Sequence, residues 1–282
     1  MHSEPHDINR HTKFHALLHN LLSAAPNYTL LNRDATQLSE FLILLGLSAV
    51  ALDFLGRQQD PFFNTKQALA RLASVLPEIH GRLMTGPDDS MKTNGRAVYH
   101  ITAIALCTPL KDLERAANDG FSRTGRTSKQ HTRAAIIRLL TRHKVEAEPA
   151  RHAIHLLRLF LITPTSAGYS RYEPSALYFG VLALWAYIIG RVSDTIEDDP
   201  HYLPNESLRH SQSTDSLQST QGAIAVILQG IEMAVAENDS LACRKQWRAL
   251  VPHVTTRLEQ RLNNNAQEYS QVLKSLSDNI NV

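Results

Sequence analysis

Apolar residues recur along this chain with the spacing of an α-helix. Two stripes place apolar side chains at intervals of three and four residues, which puts them on one face of a helix. No run of residues alternates convincingly between apolar and polar, as a half-buried strand would. The chain is therefore predicted to be all-α, a multi-helix globular domain of roughly ten helices. The stripes consist of Phe14, Leu17, Leu18 and Leu21, and of Ile224, Ile227, Leu228, Ile231 and Val235.

Two further segments are apolar on every side. Residues 41–55 belong in the middle of a helical core, and residues 176–190 form the longest apolar run, between Glu173 and Arg191. A membrane span needs about 20 such residues. The run at 176–190 is therefore predicted to be a buried helix, and no membrane contact is expected. A shorter helix around residues 69–76 is predicted to end at Pro77, because proline has no amide hydrogen to donate.

A polar stretch at 193–220 interrupts this pattern. It is rich in Ser, Thr, Asp and Pro and shows no apolar period, which predicts a long mobile loop. Residues 1–192 are predicted to form the core of a helical regulatory domain, and residues 221–282 to add C-terminal helices that pack on the same domain. Within that last segment, Pro252 predicts a kink or restart. The polar residues from about Gln267 onward are expected to fray.

Composition and charge exclude several classes of protein. The chain has 282 residues, of which 43 % are hydrophobic, and a formal net charge of +2. Disorder of the whole chain is excluded, and the charge gives no general preference for polyanions. The only cysteines are Cys107 and Cys243, which excludes a disulfide framework and a four-thiolate zinc module and fits a reducing compartment. The N-terminus lacks the apolar region of a secretory signal.

Two groups of residues have the chemistry of metal ligands. His11, His15 and His19 lie four residues apart on one helix, and two such histidines can share a zinc ion. No further ligand is evident, so packing at the edge of the apolar face is favoured. The acidic segment 194–199 has side chains that bind magnesium, but it lies in the predicted loop, and a solvated acidic loop is favoured. No cofactor is predicted for this chain.

A basic stretch between residues 121 and 145 carries arginines and lysines but no Asp or Glu. A solvated helix face is the simpler interpretation, because the exposed aromatics and groove-binding motifs of a nucleic-acid reader are missing. The stretch nevertheless offers a tentative contact face for a protein partner. That face consists of Arg123, Arg126, Lys129 and Arg133.

The sequence has few features that would indicate a nucleophilic catalytic site. The chain has no Gly-x-Ser-x-Gly elbow and no Gly-rich phosphate loop. Cys107 falls in an apolar helix, and Cys243 stands beside Arg244 and Lys245, which can activate a thiol mildly. No catalytic site is visible, and the chain is not expected to be an enzyme.

Three motifs carry a resemblance to a known family. Residues 174–187 end in the order Leu-x-Leu-Trp-x-Tyr, residues 99–113 contain a helix followed by a Pro-Leu turn, and residues 150–153 read Ala-Arg-x-Ala. Together they resemble the fungal-specific transcription factor domain, and most closely the subgroup that begins with two-Cys two-His zinc fingers. The positions that carry the resemblance are Tyr99, Pro109, Leu110, Arg151, Ala153, Tyr178, Leu184, Trp185 and Tyr187.

The resemblance implies an all-α regulatory domain in the nucleus. It would modulate transcription by RNA polymerase II through protein partners in the transcription machinery or among co-regulators, and through self-association. Zinc and DNA contact are implied only for full-length relatives, because two cysteines cannot build the finger module. The chain is then either the C-terminal part of a longer protein or a truncated paralogue. Two alternatives remain open, namely a helical adaptor unrelated to transcription and a metal-dependent all-α enzyme using residues 194–199.

Overall fold

The protein is all-α, as predicted. A computed structural model describes residues 6–23, 36–56, 65–85, 89–108, 110, 113–114, 147–162, 170–195, 216–261 and 264–279. Within these residues there are nine α-helices and no strand. The helices are α1 (His6–Leu21), α2 (Gln37–Gly56), α3 (Thr65–Met84), α4 (Ser90–Cys107), α5 (Ala147–Leu161), α6 (Glu173–Thr195), α7 (Ser216–Glu237), α8 (Ser240–Glu259) and α9 (Asn264–Asn279).

The chain divides into two compact units. Unit 1 comprises Met1–Leu106 with Ala167–Tyr172, and unit 2 comprises Cys107–Ser166 with Glu173–Val282. This grouping differs from the boundary expected at residue 192. Helices α5 and α6 share a core with the C-terminal helices, because the apolar faces of α5 and α6 pack against α7, α8 and α9.

Unit 1 is built around the pairing of α2 with α3. The most deeply buried side chains come from both helices and extend along their length. Polar groups in this core are satisfied locally, since the Ser48 hydroxyl donates to the Leu44 carbonyl and the Thr102 hydroxyl lies 2.9 Å from the Ser48 hydroxyl. The fully buried apolar residues include Leu44, Leu47, Leu72, Leu76, Ile79 and Leu83.

Two further contacts complete unit 1. A Cβ atom added to Gly95 of α4 would lie 2.1 Å from Leu83 Cδ2, so only glycine permits this close approach to α3. The segment 167–172 returns to the same unit, where the Tyr172 side chain packs against the core and Ser170 Oγ lies 2.7 Å from Asn94 Oδ1.

Unit 2 is organised around α6. This helix packs against α5, α8 and α9, while α7 packs against α5 and α8. A Cβ atom on Gly180 would lie 3.0 Å from Leu157 Cγ, so the glycine lets α5 and α6 approach closely. Helices α2 and α6 are both long and apolar enough to cross a membrane by length and composition. In α6, however, 78 % of the most apolar stretch is buried, against 28 % in α2. Helix α6 therefore has the burial of a core helix.

Several predicted boundaries were wrong. Helix α3 continues past Pro77 to Met84, and α8 runs through Pro252 without interruption. The predicted loop at 193–220 is helical at both ends, up to Thr195 and from Ser216, and its middle lies outside the described residues.

The C-terminal residues from Gln267 onward also form a helix. One side of helix α9 is buried although most of its residues are polar. The excess of polar residues made this helix difficult to predict from the sequence. The buried residues are Ala266, Ser270, Val272, Leu273 and Leu276.

Candidate interaction site

The aromatic residues of α6 are core residues of unit 2. Tyr178 and Tyr187 are 2 % and 1 % exposed, and Leu184 and Trp185 are buried beside them. Helix α6 has few polar side chains along this length, which is typical of a helix that is buried on all sides. The resemblance motif in α6 therefore corresponds to packing positions, and no reactive group of this helix faces solvent there.

Trp247 fixes α8 to α6. Its indole Nε1 donates a hydrogen bond of 3.1 Å to the Val181 carbonyl, and its side chain is fully buried. A buried indole needs such an acceptor, because an unpaired N–H in an apolar core is costly. This contact could not be predicted from the sequence, because tertiary packing alone brings Trp247 to the Val181 carbonyl.

Tyr178 stacks on Tyr269 of α9. The two ring centroids are 4.1 Å apart and the planes differ by 6°. Burial raises the pKa of Tyr178 well above its usual range, and the nearby carboxylate of Glu114 adds to that effect. The phenol therefore stays protonated at neutral pH and serves as a packing group and hydrogen-bond donor.

Tyr187 links α6 to the junction of α7 and α8. Its hydroxyl lies 3.4 Å from both the Val235 carbonyl and Asn238 Oδ1. Asn238 has a φ of 56°, a left-handed conformation that asparagine tolerates better than most residues. Burial raises the pKa of Tyr187, while the Arg191 guanidinium, 5.7 Å from the ring centroid, opposes that shift.

Glu173 is a buried carboxylate at the start of α6. It is 0 % exposed and accepts a hydrogen bond of 2.7 Å from Arg257 Nε, with a second bond from Arg261 Nη2. Both arginines lie near the C-terminal end of α8, so the cluster ties the two helix ends together. Without access to solvent, this carboxylate has the role of a structural ion pair.

The exposed side of α5 carries a basic ridge, formed by Arg151, His155 and Arg158. Arg151 Nη1 lies 3.1 Å from Glu148 Oε2 on the same helix. Arg158 Nη2 lies 2.5 Å from Glu232 Oε2 on α7, and this hydrogen bond lowers the pKa of Glu232. The basic ridge therefore adjoins the outer face of α7.

Apolar side chains are exposed on that outer face. Val226 and Met233 are 68 % and 55 % exposed, and Leu241 at the start of α8 is 57 % exposed. Val226 and Met233 define the α7 strip, and Leu241 is the next exposed large apolar residue along the chain. Methionine and arginine are enriched at surfaces that bind other proteins. The α7 strip with its basic ridge is the candidate interaction site of unit 2.

The other residues of the resemblance are dispersed. Tyr99 lies in unit 1, where its ring stacks on His80 with centroids 4.0 Å apart. Leu110 and Ala153 are buried in unit 2, and Arg151 is exposed. Pro109 and the tentative basic contact face, formed by Arg123, Arg126, Lys129 and Arg133, lie outside the described residues.

Metal-ligating side chains do not converge in the described part of the chain. No group of three His, Cys, Asp or Glu suited to a metal ion occurs there. His15 and His19 are exposed on α1, and residues 196–199 lie outside the described residues. Cys107 is exposed, whereas burial raises the pKa of Cys243 to about 12. The mild activation considered for Cys243 is therefore wrong, because burial and the nearby carboxylate of Asp239 both disfavour the thiolate.

Comparison with known proteins identified no relative of this chain. No family model matches the chain, and no curated protein or solved structure matches it.

Proposed function

We propose that this chain is a regulatory protein-interaction domain that acts in transcription by RNA polymerase II and has no DNA reader of its own. The observation that carries the proposal is the α7 strip, a set of half-exposed apolar side chains on a helix that is firmly packed on its other side. The proposed biological process is transcription. It is inferred from the resemblance of residues 174–187 to the signature helix of the fungal transcription factor domain. Protein partners among transcriptional co-regulators, and a nuclear location, follow from the same resemblance.

The α7 strip favours an amphipathic helix with acidic flanks as its partner. Val226 and Met233 are seven residues apart on one face, which matches two turns of a helix lying alongside. The basic ridge of α5 runs next to this face and would pair with carboxylates on the partner. Arg151 has the more exposed of the two arginine side chains, at 57 % against 31 % for Arg158.

A tethered reporter assay tests this proposal. The chain is fused to an unrelated DNA-binding module in cells, and output from a reporter gene is compared with that of the module alone. We expect the native chain to change reporter output at least several-fold. The double variant Val226→Asp/Met233→Asp should abolish that change, because each carboxylate would be buried against an apolar partner surface.

The control is Thr256→Asp, which adds one carboxylate at an exposed position of α8 outside the α7 strip. It should keep the native effect, and circular dichroism should give unaltered helix content for all variants. A chain that leaves the reporter unchanged would overturn the transcriptional role. Capture of a cytosolic partner by the same strip would then favour the helical adaptor.

A further inference from the structure

Helix α2 of unit 1 carries a second apolar surface with a regular spacing. Five residues follow one another at intervals of four, three, four and three; four of their side chains are exposed, and the fifth, that of Leu45, packs partly against the unit 1 core. Leu38, Leu42 and Leu52 are 51 %, 46 % and 52 % exposed, Ala49 is exposed and Leu45 is half-buried. We call Leu38, Leu42, Leu45, Ala49 and Leu52 the α2 seam.

This spacing is that of a coiled-coil seam. A repeat of 3.5 residues keeps apolar side chains facing a neighbouring helix along its whole length, and each side chain inserts between four residues of that neighbour. The opposite side of α2 already contributes Leu44, Leu47 and Ala51 to the core of unit 1. Helix α2 therefore has a second apolar face, which is exposed at four of its five positions and packs partly against the core at Leu45.

Helix α1 contacts α2 beside the α2 seam. It crosses α2 at Gly46, where an added Cβ atom would lie 3.0 Å from Leu18 and Phe14 side-chain atoms. Gly46 is next to the α2 seam but is not part of it. Phe14 is 38 % exposed, so it extends the apolar surface at one side.

We propose that the α2 seam binds the α2 seam of a second copy of this chain in antiparallel orientation. The seam reads nearly the same in both directions about Leu45. Reversal sets Leu38 opposite Leu52 of the second copy, brings Leu42 within one residue of Ala49, and sets Leu45 on the two-fold axis. Large residues then face small ones next to the axis, as close packing of helices requires.

The charges at the ends of α2 favour the antiparallel orientation. Asp53 lies at the C-terminal end of α2, next to the α2 seam. At the N-terminal end the Thr36 hydroxyl accepts a hydrogen bond from the Ser39 amide, which marks the first turn. In an antiparallel pair each Asp53 lies beside the positive N-terminal end of the other α2. A parallel pair would instead bring the two Asp53 carboxylates and both negative helix ends together.

The α2 seam is about 21 Å long, from a rise of about 1.5 Å per residue. The α2 seam contributes far fewer residues than the roughly 20–30 a side of a standard interface, so we expect a weak and reversible dimer. Sedimentation velocity of the full chain over a hundred-fold concentration range should give a mass that rises from monomer to dimer. Leu42→Asp should keep the monomer throughout, whereas Val226→Asp, in the other unit, should dimerise like the native chain.

Cross-linking tests the orientation with milder changes. Leu38→Cys and Leu52→Cys are each made in a Cys107→Ser background and oxidised gently, alone and as a mixture. In the antiparallel dimer the mixture should form a disulfide-linked dimer, while each variant alone should not, because its own copies lie about 21 Å apart. A disulfide formed by either variant alone would overturn the antiparallel arrangement.

Two further outcomes would overturn the proposal as a whole. One is a chain that stays monomeric at every concentration. The other is a monomer that co-sediments with phosphatidylcholine vesicles and loses this association in Leu42→Asp, which would assign the α2 seam to a lipid surface. Neither outcome bears on the α7 strip, which the reporter assay tests separately.

Discussion

Glu173 Oε1 and Arg257 Nε are 2.7 Å apart although 84 residues separate them along the chain. The carboxylate is wholly buried, whereas 30 % of the arginine side chain remains exposed. Taking a carboxylate out of water is costly unless it is paired and hydrogen-bonded. Arg257 and Arg261 supply both bonds, so the start of α6 depends on the end of α8.

Replacing this carboxylate should destabilise unit 2. We expect Glu173→Gln to lower the free energy of unfolding by about 2–3 kcal/mol, because two arginines lose their shared counter-charge. The value is below that of a fully buried pair, since both arginines contact solvent. Urea denaturation measures it. Glu148→Gln, which breaks an exposed pair with Arg151, should change stability by less than about 0.5 kcal/mol. Equal losses in both variants would contradict this interpretation.

Gly95 and Gly81 should respond in opposite ways to alanine. A methyl group at Gly95 would overlap Leu83, so Gly95→Ala should destabilise by about 1–3 kcal/mol. Gly81 lies inside α3 and has nothing within 4 Å of the added carbon. Gly81→Ala should therefore stabilise by about 0.5–1 kcal/mol, because alanine favours the helix. Thermal unfolding of the two variants is the measurement, and a shift of the same sign in both would refute the packing argument.

Stability should fall as pH drops below about 6.5. Burial lowers the pKa of His152, with Glu148 opposing that shift, and burial also lowers the pKa of His253. The unfolded chain therefore binds more protons than the folded chain below the ordinary histidine pKa of about 6.5. The contribution is fully present above that pH and is lost as the pH falls toward the lowered values. Urea unfolding at pH 5.5, 6.5 and 7.5 should record this decline, and His152→Gln should reduce it.

The two cysteines should differ sharply in reactivity. Cys107 is exposed, whereas Cys243 is buried and its pKa is raised to about 12. Thiolate is the reactive form, so Cys243 is both protonated and inaccessible at neutral pH. Mass spectrometry after brief treatment with iodoacetamide should find one adduct, at Cys107, and two adducts only in denaturant. Rapid labelling of native Cys243 would count against the burial of α8.

The sequence was sufficient for the fold class and for the core helix α6. Its apolar run at 176–190 is too continuous for a surface helix, and the structure buries Tyr178 and Tyr187 as predicted from it. Helix ends were less predictable. Pro77 and Pro252 each remove one backbone hydrogen bond, but fully buried neighbours such as Leu76 and Val254 hold the flanking turns in place.

Partnerships between distant residues could not be predicted. No residue near Glu173 in the sequence indicates that Arg257 and Arg261 will pair with it, because tertiary packing alone brings them together. The exposure of Val226 and Met233 could not be predicted from the sequence for the same reason. An apolar residue on a helix is expected to face the core, and only the packed arrangement of α5, α7 and α8 reveals which ones do not.

The return of Tyr172 to the unit 1 core has a consequence for biosynthesis. On the ribosome, unit 1 cannot close when its first 106 residues have emerged, because its last segment, Ala167–Tyr172, is made sixty residues later. About one third of unit 2 has then already been synthesised. The two units are thus interleaved in the gene, so no single cut separates one from the other. A stop codon or splice event before Tyr172 would leave both units unfinished at once.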